Sequence, residues 1–324
     1  MKTALVTGSA GFIGRHMCRA LEDGGYDVLG IDIAAGRDAQ AYFTGDHTGS
    51  CFDVVVHAAA VIGGRAKIDG DPLALAVNLE LDAALFRWAV RTQPGRVVYL
   101  SSSAVYPVYL QAAASDYAFG GVPPLEPADP TALIGTAVPE PRSFTRWEPE
   151  PLSEVAQVPG SPLDPDALYG WCKLTGEKLA MLARDEGVAV TVARPFSGYG
   201  EDQSTEYPFA AFAARARARE NPFVIWGTGE QVRDWVHVDD VCAAIMEMIH
   251  YEVHGPVNIG TGRGTSMRQL AELMCEVAGY SPEYQAAPAK PAGVAHRVAS
   301  IRRLTDFYTP RISLEEGVTR ALKG

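Results

Sequence analysis

The feature that most constrains this chain lies at its start. Thr7-Gly8-Ser9-Ala10-Gly11-Phe12-Ile13-Gly14 sets three glycines at G-x-x-G-x-x-G spacing, between an apolar run at Thr3–Thr7 and a helical pattern at Phe12–Asp23. Gly8 permits a tight turn out of the strand, Gly11 lets a pyrophosphate approach the backbone, and Gly14 lets the helix pack close to the sheet. The leading N–H groups of that helix carry partial positive charge and suit phosphate. A second strand, Asp27–Asp32, ends on Asp32, placed to accept hydrogen bonds from an adenosine ribose. A carboxylate there repels a 2′-phosphate, so NAD is expected rather than NADP, with Arg37 near enough to bear on the choice.

The rest of the N-terminal half extends the same pattern. Strands are expected at Asp53–His57, Arg96–Ser101 and Val188–Ala193, and helices at Pro72–Arg91 and Ala167–Glu186. Strands alternating with helices predict an α/β fold: a doubly wound parallel sheet with right-handed crossovers. Beyond about Pro195 the texture changes to short strands (Phe223–Trp226, Val257–Ile259) and helices (Phe209–Arg219, Val238–Ile249, Met267–Ala278). That predicts a smaller C-terminal α+β substrate lobe, with residues 1–195 forming the cofactor domain and 196–324 a lobe partly interleaved with it. Residues 108–150, rich in Pro, Ala, Gly and Ser, break the rhythm and are expected to form a lid or specificity loop.

Composition narrows the ligands. With 324 residues, 47% of them hydrophobic and 21% charged, the chain can bury a sizeable core. A net charge of -11 argues against broad binding to nucleic acid or acidic membranes, while a small anion needs only two or three local arginines. The five cysteines are scattered without ligand spacing, so they are expected as reduced thiols in the cytoplasm, and no metal site is expected. No apolar stretch reaches the ~18 residues of a membrane span. Asp239-Asp240 reads as a helix cap, and His57 as a strand-end histidine with a satisfied hydrogen bond.

Tyr169 and Lys173 stand four apart in a predicted helix, hence on one face. A free phenol, with a pKa near 10, is a poor base at neutral pH. A neighbouring ammonium and a positively charged nicotinamide both favour its phenolate. Ser101-Ser102-Ser103 ends the fourth strand, where a hydroxyl would face the cofactor.

These motifs carry a resemblance. VTGSAGFIG, DVVVHAAA, VNLELDAAL around Asn78, YLSSSAVYP, YGWCK, RPFSGYG and WGTGEQVRDWVHVDDV resemble the extended short-chain dehydrogenase/reductase family, in its NAD-dependent nucleotide-sugar epimerase/dehydratase group. The resemblance implies a Rossmann domain, Tyr169 as acid/base, and Lys173 as its partner and a grip on the nicotinamide ribose. It implies Ser102 as the hydroxyl that binds the reacting sugar oxygen, with Ser103 competing for that role. Asp46 reads either as an adenine contact or as a surface-loop aspartate, and the small Ala58, Ala59 and Ala60 suit a backbone pressed against a cofactor; further cofactor contacts are expected at Phe12, Ile13, Ile33, His47, Asn78, Ser101 and Pro195. On the substrate side the resemblance implies Gly63, Gly64, Ser103 and Ser197, with Arg233 and Arg297 on a nucleotide diphosphate, while Tyr207 and Trp226 read either as nucleobase neighbours or as aromatic core positions. A homodimer is implied as well.

The resemblance fixes the first step, hydride transfer from a sugar carbon, better than the later ones. A 4,6-dehydratase needs an Asp–Glu pair where this chain has Ser103-Ala104, and a decarboxylase of the UDP-glucuronate type needs a glutamate at Ala104. The Ala59–Gly64 run and Tyr106-Pro107 look like GDP-fucose synthase and GDP-mannose 3,5-epimerase, yet those share a cysteine where Ala104 stands. By subtraction a 4-epimerase leads. The alternatives are a nucleotide-sugar 4-dehydrogenase or ketoreductase and, outside the enzymes, a non-catalytic NAD-binding protein.

Overall fold

The computed structural model describes residues 1–45, 51–63, 73–111, 165 and 167–323. The chain opens with strand β1 (Lys2–Thr7), helix α1 (Phe12–Asp23), β2 (Tyr26–Ile31), α2 (Ala39–Thr44), β3 (Val54–His57) and α3 (Leu73–Thr92). It continues through β4 (Val97–Leu100), α4 (Ala167–Asp185) and β5 (Val190–Pro195). The expected elements are all present, shifted by one or two residues at their ends. These strands and a later one, Gly255–Ile259, form one six-stranded sheet in the order β2-β1-β3-β4-β5-β9, every pairing parallel.

Period-two alternation explains why this sheet is covered on both faces. Ala4, Val6, Val54, Val56 and Val98 pack with Met17 and Leu21 of α1 on one face. Leu5, Val55, Val97 and Tyr99 pack with Phe43 of α2, Leu85 and Trp88 of α3 and Ala180 of α4 on the other. The strand order reverses at β1 and β3, so the carboxyl ends of these strands open a crevice there.

Past β5 come β6 (Ser197–Tyr199), α5 (Pro208–Arg217), β7 (Phe223–Trp226), β8 (Val232–His237), α6 (Val238–His250) and β9 (Gly255–Ile259). Then follow β10 (Gly264–Ser266), α7 (Met267–Val277), β11 (Tyr284–Ala287), β12 (His296–Arg297) and α8 (Leu314–Lys323). The strand expected in the small lobe at Val257–Ile259 is instead the last strand of the large sheet, paired to β5. Helix α6 likewise packs Val241, Ile245 and Met248 into the core shared with α1. Local pattern carries no address for a strand, and an apolar run of this length fits either sheet.

The smaller lobe keeps β6, β8, β10 and β12 in one sheet and β7 with β11 in another. Its core gathers Phe209 and Phe212 from α5, Phe223 from β7, and Leu270 and Met274 from α7. The cap expected from Asp239-Asp240 is supplied by His237, whose side chain accepts from the Asp239 amide. Asp240 is buried and accepts from the Tyr308 hydroxyl and from the Arg311 and Ile312 amides, tying α6 to the segment before α8. Of the region expected as a lid, residues 108–111 are described and form a 3-10 turn. The rest of that expectation lies outside the described residues.

Candidate active site

A cavity of about 570 Å³ lies over the carboxyl ends of the large sheet. Its floor at one end is the glycine loop. Gly8 has φ of +70°, and a Cβ there would stand 2.7 Å from the backbone of Ala58. A Cβ on Gly14 would meet the Gly8 carbonyl oxygen at 1.9 Å, so α1 can start this close to the turn only with glycine. Gly11 caps α1 without a side-chain hydrogen bond, which leaves the leading amides of the helix facing the cavity. The backbone itself is therefore an anion cradle.

Asp32 stands beside the loop. Its carboxylate accepts from the Ala10 amide at 3.0 Å and the Ala34 amide at 2.8 Å, which aims it while leaving lone pairs for a ribose. The Arg37 guanidinium turns back to the Gly30 carbonyl oxygen at 3.3 Å and does not line the cavity. Among the described residues lining that side, none offsets the Asp32 charge against a 2′-phosphate. Asp38 and Gln40, at the start of α2, also border the cavity. Nothing local in the sequence points to them, because only the packing of α2 on α3 brings them there.

At the far end Ser102, Tyr169 and Lys173 line the same cavity. Ser102 stands two residues past β4 and caps the 3-10 turn Ser103–Val105 through the Ala104 amide. Gly170 brings α4 against this turn, since a Cβ there would meet the Ala104 carbonyl oxygen at 2.3 Å. That close approach sets Tyr169 beside Ser102. Burial pushes the Tyr169 phenol above its usual value, while its hydrogen bond with Ser102 pulls it down and Asp82 and Cys172 push it up. Burial is the largest of these influences. Burial also lowers the buried Lys173, against the opposing charges of Asp82, Cys172 and Glu177. Its Nζ lies 5.9 Å from the Tyr169 ring centre and 5.0 Å from that of Tyr99.

Beneath this surface lie groups that sequence reasoning missed. Glu177 accepts from Arg194 Nε at 2.7 Å and Nη2 at 2.5 Å, and from the Ser101 hydroxyl at 2.5 Å. Ser101 therefore lines the cavity with its hydroxyl already committed. The available signal was spacing: Glu177 stands four residues after Lys173 on the same helix. Asn78 does not line the cavity but braces it, donating to the Val61 carbonyl oxygen at 3.0 Å and accepting from the Val61 amide at 2.7 Å. His57 meets the Thr7 hydroxyl through Nδ1 at 2.8 Å, yet its Nε2 has no hydrogen-bond partner among the described residues, so the satisfied reading holds for one nitrogen only.

The other expected residues divide. Phe12, Ile13, Ile33, Ala58, Ala59, Ala60, Gly63, Pro195 and Tyr207 line the cavity. Ser103 is buried below it beside Ala104, and Ser197 lies in β6 outside it. Trp226 is 51% exposed with Lys290 over its ring, away from the cavity lining. Arg233 and Arg297 lie outside the cavity too, but they are register partners on adjacent parallel strands and so share one face. Arg233 Nη1 donates to the Val232 carbonyl oxygen at 2.8 Å and Arg297 Nε to Gln111 Oε1 at 2.5 Å. Asp46, His47 and Gly64 lie outside the described residues.

A parallel doubly wound sheet carries the glycine turn and Ser102, Tyr169 and Lys173 around one cavity. The chain belongs to the NAD dependent epimerase/dehydratase family, matching it over residues 4–127 and 147–260. It is 24% identical to a putative GDP-L-fucose synthase of Arabidopsis thaliana, covering 97% of this chain and 89% of that protein. Similarity of 27% extends to a dTDP-4-dehydro-6-deoxy-D-allose reductase of Streptomyces bikiniensis, over 97% of this chain and 94% of the relative. A putative UDP-glucose 4-epimerase of Methanocaldococcus jannaschii is also 27% identical, over 98% and 96%. The fold matches a UDP-glucose 4-epimerase structure from Thermotoga maritima with a TM-score of 0.74 at 24% identity, over 99% of this chain and 97% of the other. No helix among the described residues is long and apolar enough to cross a membrane.

Proposed function

We propose that the protein is an NAD-dependent nucleotide-sugar 4-epimerase. The observation that carries this reading is the side-chain set at the reacting end of the cavity. Ser102, Tyr169 and Lys173 can manage one hydroxyl proton, while Ser103 and Ala104, both buried, bring no carboxylate or thiol. Proton removal at a second carbon has no base at these positions, and water elimination has no acid. Oxidation and reduction at one carbon is the chemistry with all its groups present.

The residues fit NAD, since the cradle of Gly8, Gly11 and Gly14 excludes side chains and Asp32 faces the ribose position. The α1 amides would hold its pyrophosphate, and Lys173 would grip the nicotinamide ribose. When bound, NAD supplies the hydride acceptor and a positive ring. Ser102 then holds the sugar C4 oxygen, and Tyr169 takes the hydroxyl proton from that oxygen. Lys173 steadies by charge the phenolate form in which Tyr169 accepts that proton. After the 4-keto sugar turns over, Tyr169 returns the proton. Arg233 and Arg297, side by side on one sheet face, would grip the diphosphate with planar guanidinium groups.

A 4-ketoreductase is the second reading, favoured by the relative named as a reductase. The deciding experiment gives the holoenzyme UDP-, GDP- and dTDP-sugars and follows both NMR of the products and absorbance at 340 nm. Inverted C4 with no net NADH is expected. Stoichiometric cofactor consumption would assign the reductase. We also propose a homodimer, supported by the exposed apolar residues Leu168, Trp171 and Leu182 along α4. Light scattering should give twice the chain mass, and Trp171→Asp should halve it.

A further inference from the structure

We infer that Asp82 is the positioning residue for Lys173: its carboxylate, acting through Tyr99, is the counter-charge that keeps the lysine ammonium charged and in place. The inference rests on the reading of Tyr169 and Lys173 as the proton-handling pair.

Lys173 is buried, with 3% exposure, and makes no ion pair within 4.0 Å among the described residues. An ammonium in such a place needs a compensating charge nearby. Two buried or nearly buried carboxylates stand close. Glu177, on the same helix, is already neutralised by Arg194 through two hydrogen bonds at 2.5 and 2.7 Å and is further occupied by Ser101. Asp82, on α3, has 2% exposure and, among the described residues, no guanidinium or ammonium within ion-pair distance. Glu177 with Arg194, and Asp82 with Lys173, make two opposite-charge combinations between α3, α4 and the sheet.

The link between Asp82 and Lys173 is an aromatic ring. The Tyr99 hydroxyl donates to Asp82 Oδ2 at 2.6 Å, and the Lys173 Nζ sits 5.0 Å from the centre of the Tyr99 ring. A phenol that donates to a carboxylate has a more electron-rich face, and that face attracts the cation. Gly176 makes the approach possible, because a Cβ there would stand 1.9 Å from the Tyr99 oxygen and 2.6 Å from Asp82 Oδ2. On its other side Asp82 Oδ1 lies 3.3 Å from His57 Nε2, and His57 Nδ1 meets the hydroxyl of Thr7, the residue before the glycine loop. The groups facing Lys173 are thus Asp82 from α3, Tyr99 from β4, and Tyr169, Cys172 and Glu177 from its own helix, with His57 of β3 behind Asp82.

The test is the titration of Lys173 itself, read by NMR in NAD-loaded protein carrying 13Cε-labelled lysine, with Lys173→Met identifying the resonance. Asp82→Asn keeps the shape and removes the charge. The Lys173 midpoint should fall by about one unit or more, and Tyr99→Phe should move it in the same direction by less. The alkaline limb of kcat should move down with it. An unmoved Lys173 midpoint in either folded variant overturns the inference, as does a loss of kcat equal at every pH. If Asp82→Asn does not fold, Tyr99→Phe decides alone. If the wild type turns over no nucleotide sugar, the proposed function fails, and the titration still judges Asp82.

Discussion

The two ends of the ligand path are built from different materials. The dinucleotide end is made of backbone: a left-handed Gly8, a Gly14 pressed on a carbonyl oxygen, and helix amides left without a side-chain cap. The end proposed for the nucleotide diphosphate is made of side chains, with Arg233 and Arg297 brought side by side by two strands whose partners are 64 residues apart in sequence (297 − 233). A backbone cradle tolerates almost no change but asks for little beyond glycine. A side-chain clamp can be retuned one residue at a time. This difference suits an NAD dependent family whose relatives are named for different nucleotide sugars.

Four experiments press on that contrast, in falling order of effect. Tyr169→Phe should cut turnover by about 10²–10⁴-fold, the usual worth of a positioned acid/base, while calorimetry finds NAD and nucleotide-sugar binding intact at both ends. Loss of either binding would mean that the reacting end is not separable from its neighbours. Gly14→Val should cost the dinucleotide end about 1–3 kcal/mol of overpacking, and about 10–100-fold in NAD affinity. Wild-type NAD affinity in that variant would show that the backbone cradle does not govern cofactor binding.

Arg233→Ala should raise KM for a nucleotide-sugar about tenfold, as expected for one charge-assisted hydrogen bond, with the Kd for NAD unchanged. An equal effect on both ligands would erase the contrast. The smallest effect belongs to Asp202, which joins α1 to the loop after β6 by accepting from Arg15 Nε at 2.7 Å and meeting His16 Nε2 at 3.1 Å. Burial pushes this carboxyl up, but the hydrogen bonds and charges of Arg15 and His16 outweigh it and hold it at about 2. A depressed carboxylate adds stability above its ordinary value and loses it as pH falls from about 4 toward 2. Asp202 is 42% exposed on its side chain, so Asp202→Asn should lower Tm at pH 7 by about 1–3 °C at most. It should also flatten the acid decline between pH 4 and 2. A parallel shift of the whole curve would show packing rather than charge.

Much of the first end is legible in the sequence. The spacing from Gly8 to Gly14, the terminal Asp32 and the helical interval from Tyr169 to Lys173 are local facts, and each follows from turn or helix geometry. The segment Val257–Ile259 reads as a strand, but its local pattern suggests the wrong sheet, because pairing is a long-range choice. Ser103 and Ser102 cannot be ranked from adjacency. The 3-10 turn after β4 decides, burying one hydroxyl and leaving the other beside Tyr169. Trp226 and Tyr207 look alike as aromatic candidates, yet only Tyr207 of the two reaches the cavity.

What the sequence determined by itself is the set of positions where a side chain is forbidden or a fixed interval suffices: the glycine cradle, Asp32, the tyrosine–lysine face, and the absence of an acid or thiol at Ser103-Ala104. What only the tertiary structure decided is which charges face each other. Glu177 is paired to Arg194 across 17 residues, and Asp82 is joined through Tyr99 to Lys173 across 91 (173 − 82). The physical reason is range. Steric and dihedral limits act within a few residues of chain, whereas a buried charge is balanced by whatever the packing of helices on a sheet brings within a few ångströms of it.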